Sequence, residues 1–136
     1  MTDVKEMTSE HVEDMLSLVS YAFQWELSDN NRKRFSMLAE NSWNFGSFDE
    51  KGRLASQVMA TPFKIDLFGD HHLMAGIGFV ASYPEYRSQG RIDRIMTELL
   101  ATSRERGVNL SYLAPFSYPF YRRYGYELTF ERAVYD

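Results

Sequence analysis

The first third of the chain carries apolar residues at helical spacing, and this spacing predicts two amphipathic helices. Thr8 or Ser9 can cap the first helix, which we expect to end near Trp25. Its apolar stripe consists of Val12, Met15, Leu16, Val19, Ala22 and Phe23. A second and more polar helix is predicted from about Asn30 to Ala39.

After residue 42 the apolar residues follow the pattern of strands and turns. The predicted strands are Trp43–Phe48, Leu54–Ala60, Phe63–Leu67 and Met74–Ser82. Asp49–Gly52 reads as a hairpin turn between the first two strands, with glycine where a positive φ is favoured. A second turn, Phe68–Asp70, closes the third strand.

The pattern in the last third of the chain predicts a strand-helix-strand unit. A helix begins at Gly90, buries one apolar face and ends before Gly107. The segments predicted after it are a buried strand at Val108–Leu113, a turn or short helix at Pro115–Tyr124 and a final strand at Tyr126–Val134. Helices, antiparallel strands and a closing strand-helix-strand unit together predict an α/β fold, whose mixed and mostly antiparallel sheet is flanked by helices.

Composition narrows the class of protein. The 136 residues fit one domain, 1–136. Because the chain has no cysteine, disulfides, thiolate metal sites and a cysteine nucleophile are excluded, and we expect no metal. A net charge of -4 argues against a general nucleic-acid binder. With no apolar signal region or membrane-length apolar run, a cytoplasmic protein without membrane contact is expected.

The most informative segment is the one in which the strand Met74–Ser82 gives way, through a turn marked by Pro84, to the helix at Gly90. Backbone N–H groups at a helix start have no partner within the helix, and together with the helix dipole they attract phosphate oxygens. Gly90 lets a ligand approach the backbone, and Arg87 and Arg91 can add charge-assisted hydrogen bonds. We call residues 87–90 the anion loop.

Two other kinds of phosphate loop do not fit, because the chain has neither the GxxxxGK[ST] pattern nor three spaced glycines after its first strand. An ordinary β-turn-helix connection with solvated arginines stays open as an alternative. A bulge in the sheet and a close approach of backbone or ligand are equally open explanations of Gly76 and Gly78.

The segment Arg87-Ser88-Gln89-Gly90-Arg91-Ile92 resembles motif A of the GNAT acetyltransferase superfamily, except that Ile92 stands where Gly or Ala is usual. Together with the preceding Gly76-Ile77-Gly78-Phe79-Val80 and Pro84-Glu85-Tyr86-Arg87, it is similar to the Eis-like (enhanced intracellular survival) branch. That resemblance implies a GNAT fold, and it implies that the chain is the N-terminal domain, as a fragment or shortened form, of a longer multidomain protein.

The resemblance also implies acetyl-coenzyme A as the acyl donor, with its pyrophosphate on the anion loop and its pantetheine arm along the strand that ends at Ser82. The implied contacts are Val80, Ala81, Ser82, Arg87, Ser88, Gln89, Gly90, Arg91, Ile92, Asp93, Phe116 and Ser117.

The run Phe120-Tyr121-Arg122-Arg123-Tyr124-Gly125-Tyr126 resembles the aromatic ending of GNAT domains. This resemblance implies that Tyr121 protonates the departing thiolate, a step for which a phenol is a suitable general acid. Tyr124 and Tyr126 are expected to pack around Gly125. Arg122 and Arg123 are expected to be solvated, although contact with a coenzyme A phosphate stays open, and stacking on single-stranded nucleic acid is disfavoured by the acidic net charge.

No general base can be assigned from the sequence. The strand Met74–Ser82 holds no glutamate, Glu85 lies beyond its end, and His71 and His72 are predicted in a turn before it. In Eis-like proteins the base is the carboxylate at the end of the longer chain, whereas this sequence ends at Asp136.

The first functional hypothesis is therefore an N-acetyltransferase that acts on a primary amine such as an aminoglycoside, a polyamine or a lysine-like acceptor. Glu13, Glu26 and Asp29 could attract such a cation. The alternative is a non-catalytic domain that binds acyl-coenzyme A or mediates assembly, and a homo-oligomer stays open.

Overall fold

The computed structural model describes residues 3–113 and 118–127, and in these residues one five-stranded sheet carries helices on both faces. Its strands are β1 (Val4–Met7), β2 (Trp43–Phe48), β3 (Leu54–Leu67), β4 (Asp70–Ser82) and β5 (Leu110–Leu113). Its helices are α1 (Val12–Phe23), α2 (Asp29–Glu40), α3 (Arg91–Glu105) and α4 (Tyr118–Arg122). None of these helices is both long and apolar enough to cross a bilayer.

The strands lie side by side in chain order, antiparallel except for the parallel pair β4–β5. This arrangement confirms the predicted mixed, mostly antiparallel sheet flanked by helices. Helices α1 and α2 cover one face, where Leu16, Leu18 and Phe35 pack against Met59. Helix α3 covers the other face with Ile95, Met96 and Leu99, which are completely buried. The buried face of α3 is the one that the apolar spacing predicts. In α1 the prediction is correct for Met15, Leu16 and Val19, but Leu18 is buried as well, and the predicted stripe residues Ala22 and Phe23 are exposed.

The strand boundaries differ from the prediction at the β3–β4 hairpin. β3 is a single strand that runs through Pro62, and β4 begins at Asp70, so that His71 and His72 lie in the strand and not in a turn before it. Among the described residues, β2 pairs with β3 only as far as Ala60. Pro62 therefore lies where one edge of β3 has no neighbouring strand, a position that tolerates a residue without an N–H.

The two ends of the chain hold the other differences. β1 was not predicted, because a four-residue strand with only its first and last residues buried shows no period-two alternation. α4 lies within the segment predicted as turn or short helix. Most of the predicted final strand Tyr126–Val134 falls on residues 128–136, which lie outside the described residues.

β4 carries a bulge at the point where its neighbours diverge. Met59 pairs with Gly78 and Gln57 with Ala81, so Phe79 and Val80 together face the single residue Val58. Phe79 adopts a left-handed φ of +49°, which is unusual for a large side chain. Gly78 directly precedes this bulge and pairs regularly with Met59, and the space that a Cβ would take there is open. At Gly76, a Cβ would lie 2.9 Å from the ring of Phe63, so a neighbouring side chain fills that space.

β5 leaves β4 just before this bulge. Its paired residues on β4 run only from Met74 to Ile77. Residues 78–82 therefore have β3 on one side and, within the described part of the chain, no strand on the other. The C-terminal half of β4 exposes an edge in the middle of the sheet, next to the anion loop.

Candidate active site

The anion loop has a backbone that turns sharply between β4 and α3. One turn of 3₁₀ helix spans Pro84–Tyr86, and the Arg87 N–H donates to the Pro84 carbonyl at 3.2 Å. Ser88 and Gly90 then take left-handed φ values of +64° and +72°. Two such residues around Gln89 curl the chain so that its N–H groups converge at the start of α3.

These N–H groups have no protein acceptor. In the described residues, the backbone N–H groups of residues 88–93 donate no hydrogen bond. The exposed guanidinium of Arg87 has no hydrogen bond or ion pair there either. Because the fifteen-residue helix α3 directs the positive end of its dipole to the same place, the loop presents donors that suit an anion.

A cavity of about 390 Å³ adjoins the anion loop. It lies between the end of β4, the first turn of α3 and α4. Its lining residues are Val80, Ser82, Tyr86, Arg87, Ser88, Gly90, Arg91, Ile92, Asp93, Phe120 and Arg123. The cavity is open to the free edge of β4 as well as to the loop, so one elongated ligand could contact both.

The Arg91 side chain forms hydrogen bonds within the fold. Its Nη1 donates to Asp3 Oδ2 at 3.0 Å, to Ser47 Oγ at 2.8 Å and to the Phe48 carbonyl at 3.2 Å. Arg94 donates to both carboxylate oxygens of Asp3 at 2.8 Å, and these bonds hold the pKa of Asp3 well below its usual range. Arg91 therefore fastens the start of α3 to β1 and β2, and its guanidinium donates to protein acceptors.

Asp93, in the first turn of α3, joins this helix to α4. It accepts a 2.6 Å hydrogen bond from the Tyr124 hydroxyl and lies 3.3 Å from Arg123 Nη2. Burial first, and then the bond to Asp93, raises the pKa of Tyr124 to about 12. The Arg123 guanidinium stacks over the Phe120 ring at 4.8 Å. Two donors thus partner the carboxylate that lies nearest the anion site.

Tyr121 lies behind the cavity wall. Its side chain is 3% exposed and packs edge-to-face against Phe120 at 5.0 Å and against Tyr126 at 6.2 Å. Burial, with a smaller contribution from Tyr126, raises the pKa of Tyr121, so its hydroxyl is protonated at neutral pH. Phe120 and Arg123 line the cavity, whereas Tyr121 is not among its described lining residues.

Most of the residues that the sequence predicted for the ligand meet at this cavity, and some do not. The Ala81 side chain is 5% exposed and packs on the α1–α2 side of the sheet. The side-chain oxygen of Gln89 accepts from Arg91 Nε at 2.9 Å. Phe116 and Ser117 lie outside the described residues.

The sequence analysis did not assign Tyr86 and Phe120 to the cavity, although each immediately precedes a residue that it singled out. Tyr124 and Tyr126 are packing residues, as expected. Tyr124 lies against the core beside Asp93, and the Tyr126 hydroxyl shares a 2.5 Å hydrogen bond with that of Ser111.

The candidate bases lie away from the cavity. His71 Nδ1 lies 2.5 Å from Asp66 Oδ1 at the start of β4, eleven residues and about 36 Å of strand before Ser82. Glu85 lines a separate cavity of about 330 Å³. Glu13, one of the carboxylates predicted to attract a cation, is paired with Arg32 at 2.9 Å.

A family model described as "Acetyltransferase (GNAT) domain" matches residues 3–129. A conserved protein of unknown function from Enterococcus faecalis, described as a probable N-acyltransferase, is 50% identical over 93% of this chain, with a TM-score of 0.90. A GCN5-related N-acetyltransferase from Kribbella flavida is 26% identical over 91% of the chain, with a TM-score of 0.81.

The chain spans 32% of the Enterococcus protein and 33% of the Kribbella protein. A predicted acetyltransferase from Clostridium acetobutylicum, solved with acetyl-CoA, is 13% identical but matches the whole chain and 96% of its own, with a TM-score of 0.81, and so shares the fold. No curated protein matches the chain in sequence. The match of the family model over residues 3–129 shows that the chain belongs to the GNAT acetyltransferase family.

Proposed function

We propose that the chain transfers an acetyl group from acetyl-coenzyme A to a primary amine. The observation that carries the proposal is the row of unpartnered N–H groups at residues 88–93, beside a cavity that the open edge of β4 borders. A ligand with a pyrophosphate at one end and amides along its arm would satisfy both features at once.

The anion loop would hold the pyrophosphate by its backbone N–H groups and by Arg87, the guanidinium that has no partner in the described residues. The amides of the pantetheine arm would pair with backbone groups between Val80 and Ser82, as an added strand pairs with a sheet edge. Side chains of Val80 and Ser82 face the cavity, while Ala81 contributes its backbone alone.

The chemical step requires the amine nitrogen to attack the acetyl carbonyl carbon. A C–N bond forms, the C–S bond breaks, and coenzyme A leaves as a thiolate that takes a proton from Tyr121. Much of the acceleration would come from holding the two reactants in one crevice. The amine's proton would pass to solvent, and solvent would reprotonate Tyr121, because Asp93, the one carboxylate among the described lining residues, already accepts from Tyr124 and Arg123.

The amine class is proposed from chemistry and from one structural neighbour. The aminoglycoside acetyltransferase AAC(6')-Iy, which shares this fold at 13% identity, was solved with a coenzyme A–acetylneamine bisubstrate analogue. Aminoglycoside, polyamine or lysine-like amines are therefore the first acceptors to test. The chain would act as an Eis-like, cytoplasmic, metal-independent domain of a longer protein. Its coverage of about one third of two relatives supports only the last point, that the domain belongs to a longer protein.

Coenzyme A binding is the first test, measured by thermal shift and calorimetry with the wild type and Arg87→Ala. We expect a ligand at 100 times its Kd to stabilise the wild type by about 2.7 kcal/mol, and the variant to bind roughly tenfold more weakly. Arg104→Ala is the matched control, because Arg104 is exposed and unpartnered in the described residues, about 20 Å away along α3. Absence of any shift in the wild type would refute the proposal.

Turnover is the second test, measured as free thiol released from acetyl-coenzyme A with each amine. We expect release by the wild type and a fall of about 100-fold for Tyr121→Phe, within the range of general acid catalysis. One observation favours a second candidate, a domain that binds acyl-coenzyme A without transfer: Tyr121 is 3% exposed and lies behind the described cavity wall. Tight binding without thiol release would support that candidate.

A further inference from the structure

The β2–β3 hairpin reaches the anion loop through one hydrogen bond. The Tyr86 hydroxyl donates to Asp49 Oδ2 at 2.6 Å. Tyr86 is the residue immediately before Arg87 and lines both cavities. We propose that Asp49 is a positioning residue for the anion loop, acting through Tyr86. For its ligand, coenzyme A, the inference rests on the proposed function. For the positioning itself, it rests on contacts within the protein that do not depend on a ligand.

The two carboxylate oxygens of Asp49 have separate partners. Oδ1 accepts the backbone N–H groups of Lys51 and Arg53 at 2.9 Å, which closes the hairpin turn. Oδ2 accepts hydrogen bonds from Arg53 Nε at 2.9 Å and from the Tyr86 hydroxyl. A turn-forming residue needs only the first set of bonds, so the bond to Tyr86 does something beyond closing the hairpin.

The face of the Tyr86 ring also has a contact within the fold. The Arg91 guanidinium lies 5.1 Å from the ring centroid and is itself fixed by Asp3 and Ser47. The ring thus lies between the hairpin turn and the start of α3. Since Tyr86 and Arg91 flank the anion loop, one end of the loop is held by the hairpin turn and the other by the end of β2.

Such anchoring matters because the loop backbone is strained. Ser88 holds φ +64° without the freedom of glycine, which costs about 1 kcal/mol or more. A loop in this conformation needs surrounding contacts that keep it there before the ligand arrives. Positioning the N–H groups in advance spares the ligand the cost of ordering them.

Tyr86→Phe tests the inference, because it removes the hydroxyl and keeps the ring. The first readout needs no ligand: amide exchange of the Tyr86 and Arg87 N–H groups, which donate to Tyr83 and Pro84 at 3.0 and 3.2 Å. We expect their exchange to become about tenfold faster, as follows from losing a hydrogen bond to a charged group. Tyr112→Phe is the control, since the Tyr112 hydroxyl is exposed and has no hydrogen bond in the described structure.

The second readout separates positioning from general damage. We expect Tyr86→Phe to raise the Kd for coenzyme A and the KM for acetyl-coenzyme A by about tenfold, with kcat unchanged. S-acetyl-N-acetylcysteamine, a thioester without a pyrophosphate, should be used equally by both proteins. The double variant Asp49→Asn/Tyr86→Phe should lose less coenzyme A affinity than the sum of the two single losses, because both substitutions remove the same Asp49–Tyr86 hydrogen bond.

Unchanged amide exchange in Tyr86→Phe, or additive effects in the double variant, would overturn the positioning role. Equal losses with the natural and the short thioester would also overturn it, since they would show damage beyond the phosphate site. Failure of the wild type to bind coenzyme A would instead refute the proposed function, and the exchange measurement would still decide whether Asp49 positions the loop.

Discussion

The Tyr124 hydroxyl donates a 2.6 Å hydrogen bond to Asp93, and this bond joins the segment after α4 to the first turn of α3. The two residues are 31 positions apart, and Asp93 lines the cavity. The helix that begins at the anion loop is therefore braced against the aromatic segment that carries Tyr121.

Tyr124→Phe removes this brace. We expect the free energy of unfolding to fall by about 1 kcal/mol, because a partly exposed hydrogen bond to a carboxylate contributes less than a buried one. Urea denaturation measures this loss, and Tyr112→Phe should lose almost nothing by comparison. An unchanged midpoint in Tyr124→Phe would show that the bond makes no net contribution.

The same bond predicts an alkaline limit to stability. The folded-state pKa of Tyr124 is raised from 10.0 to about 12. A raised pKa contributes stability that is fully present below pH 10 and is lost between pH 10 and 12. We expect wild type and Tyr124→Phe to differ most below pH 10 and to converge towards pH 12, as followed by urea midpoints. A constant difference across this range would contradict the assignment.

Asp3 predicts the corresponding acid limit. Its folded-state pKa lies well below the usual 3.8, because Arg94 and Ser47 donate to its charged form. The stability from a lowered pKa is fully present above about 3.8 and declines as the pH falls below that value. Asp3→Asn should therefore be less stable than the wild type at pH 7, and the difference should shrink from pH 4 to pH 2. Denaturation at a series of pH values measures it, and Asp29→Asn is the control for a general acid effect.

Gly90→Ala should impair the site more than the fold. At φ +72° an alanine is strained by about 1 kcal/mol, and its Cβ would lie 3.3 Å from Arg94 Nη1. Gly69→Ala is the matched control, since Gly69 has φ +86° and open space around it at the distant hairpin tip. We expect similar thermal destabilisation in both variants but weaker coenzyme A binding, by roughly tenfold, in Gly90→Ala alone. Equal affinities would show that the loop glycine is needed only for folding.

The sequence predicted those parts of the site that depend on neighbouring residues. The strand, turn and helix around the anion loop are local, so the backbone donors at Ser88 and Gly90 could be expected from a motif and its setting. The apolar stripes of α1 and α3 could likewise be read from their period, because each faces one side of a sheet.

The partners of Arg91 could not be predicted in this way. Asp3 is 88 positions away, directly before a strand too short to show a pattern, and only the pairing of that strand with β2 brings Asp3 to α3. The contact between Asp49 and Tyr86 could not be predicted either, because the sequence indicates a hairpin turn at Asp49 but does not indicate which residues that turn contacts. The predicted break between Leu54–Ala60 and Phe63–Leu67 was wrong for a related reason, because whether a proline such as Pro62 interrupts a strand depends on where the neighbouring strand ends.

An anion site composed of main-chain N–H groups has an unusual mutational profile. Among substitutions, only those to proline delete such a donor, so the site can persist through wide sequence divergence as long as the left-handed turns at Ser88 and Gly90 are kept. Selection would then act on the residues that maintain the backbone's shape, and Arg87 would remain open to exchange for other cationic or polar residues. Side-chain substitutions in this loop should therefore alter the affinity for the anion gradually, whereas a substitution that changes the curvature of the backbone should abolish binding in a single step.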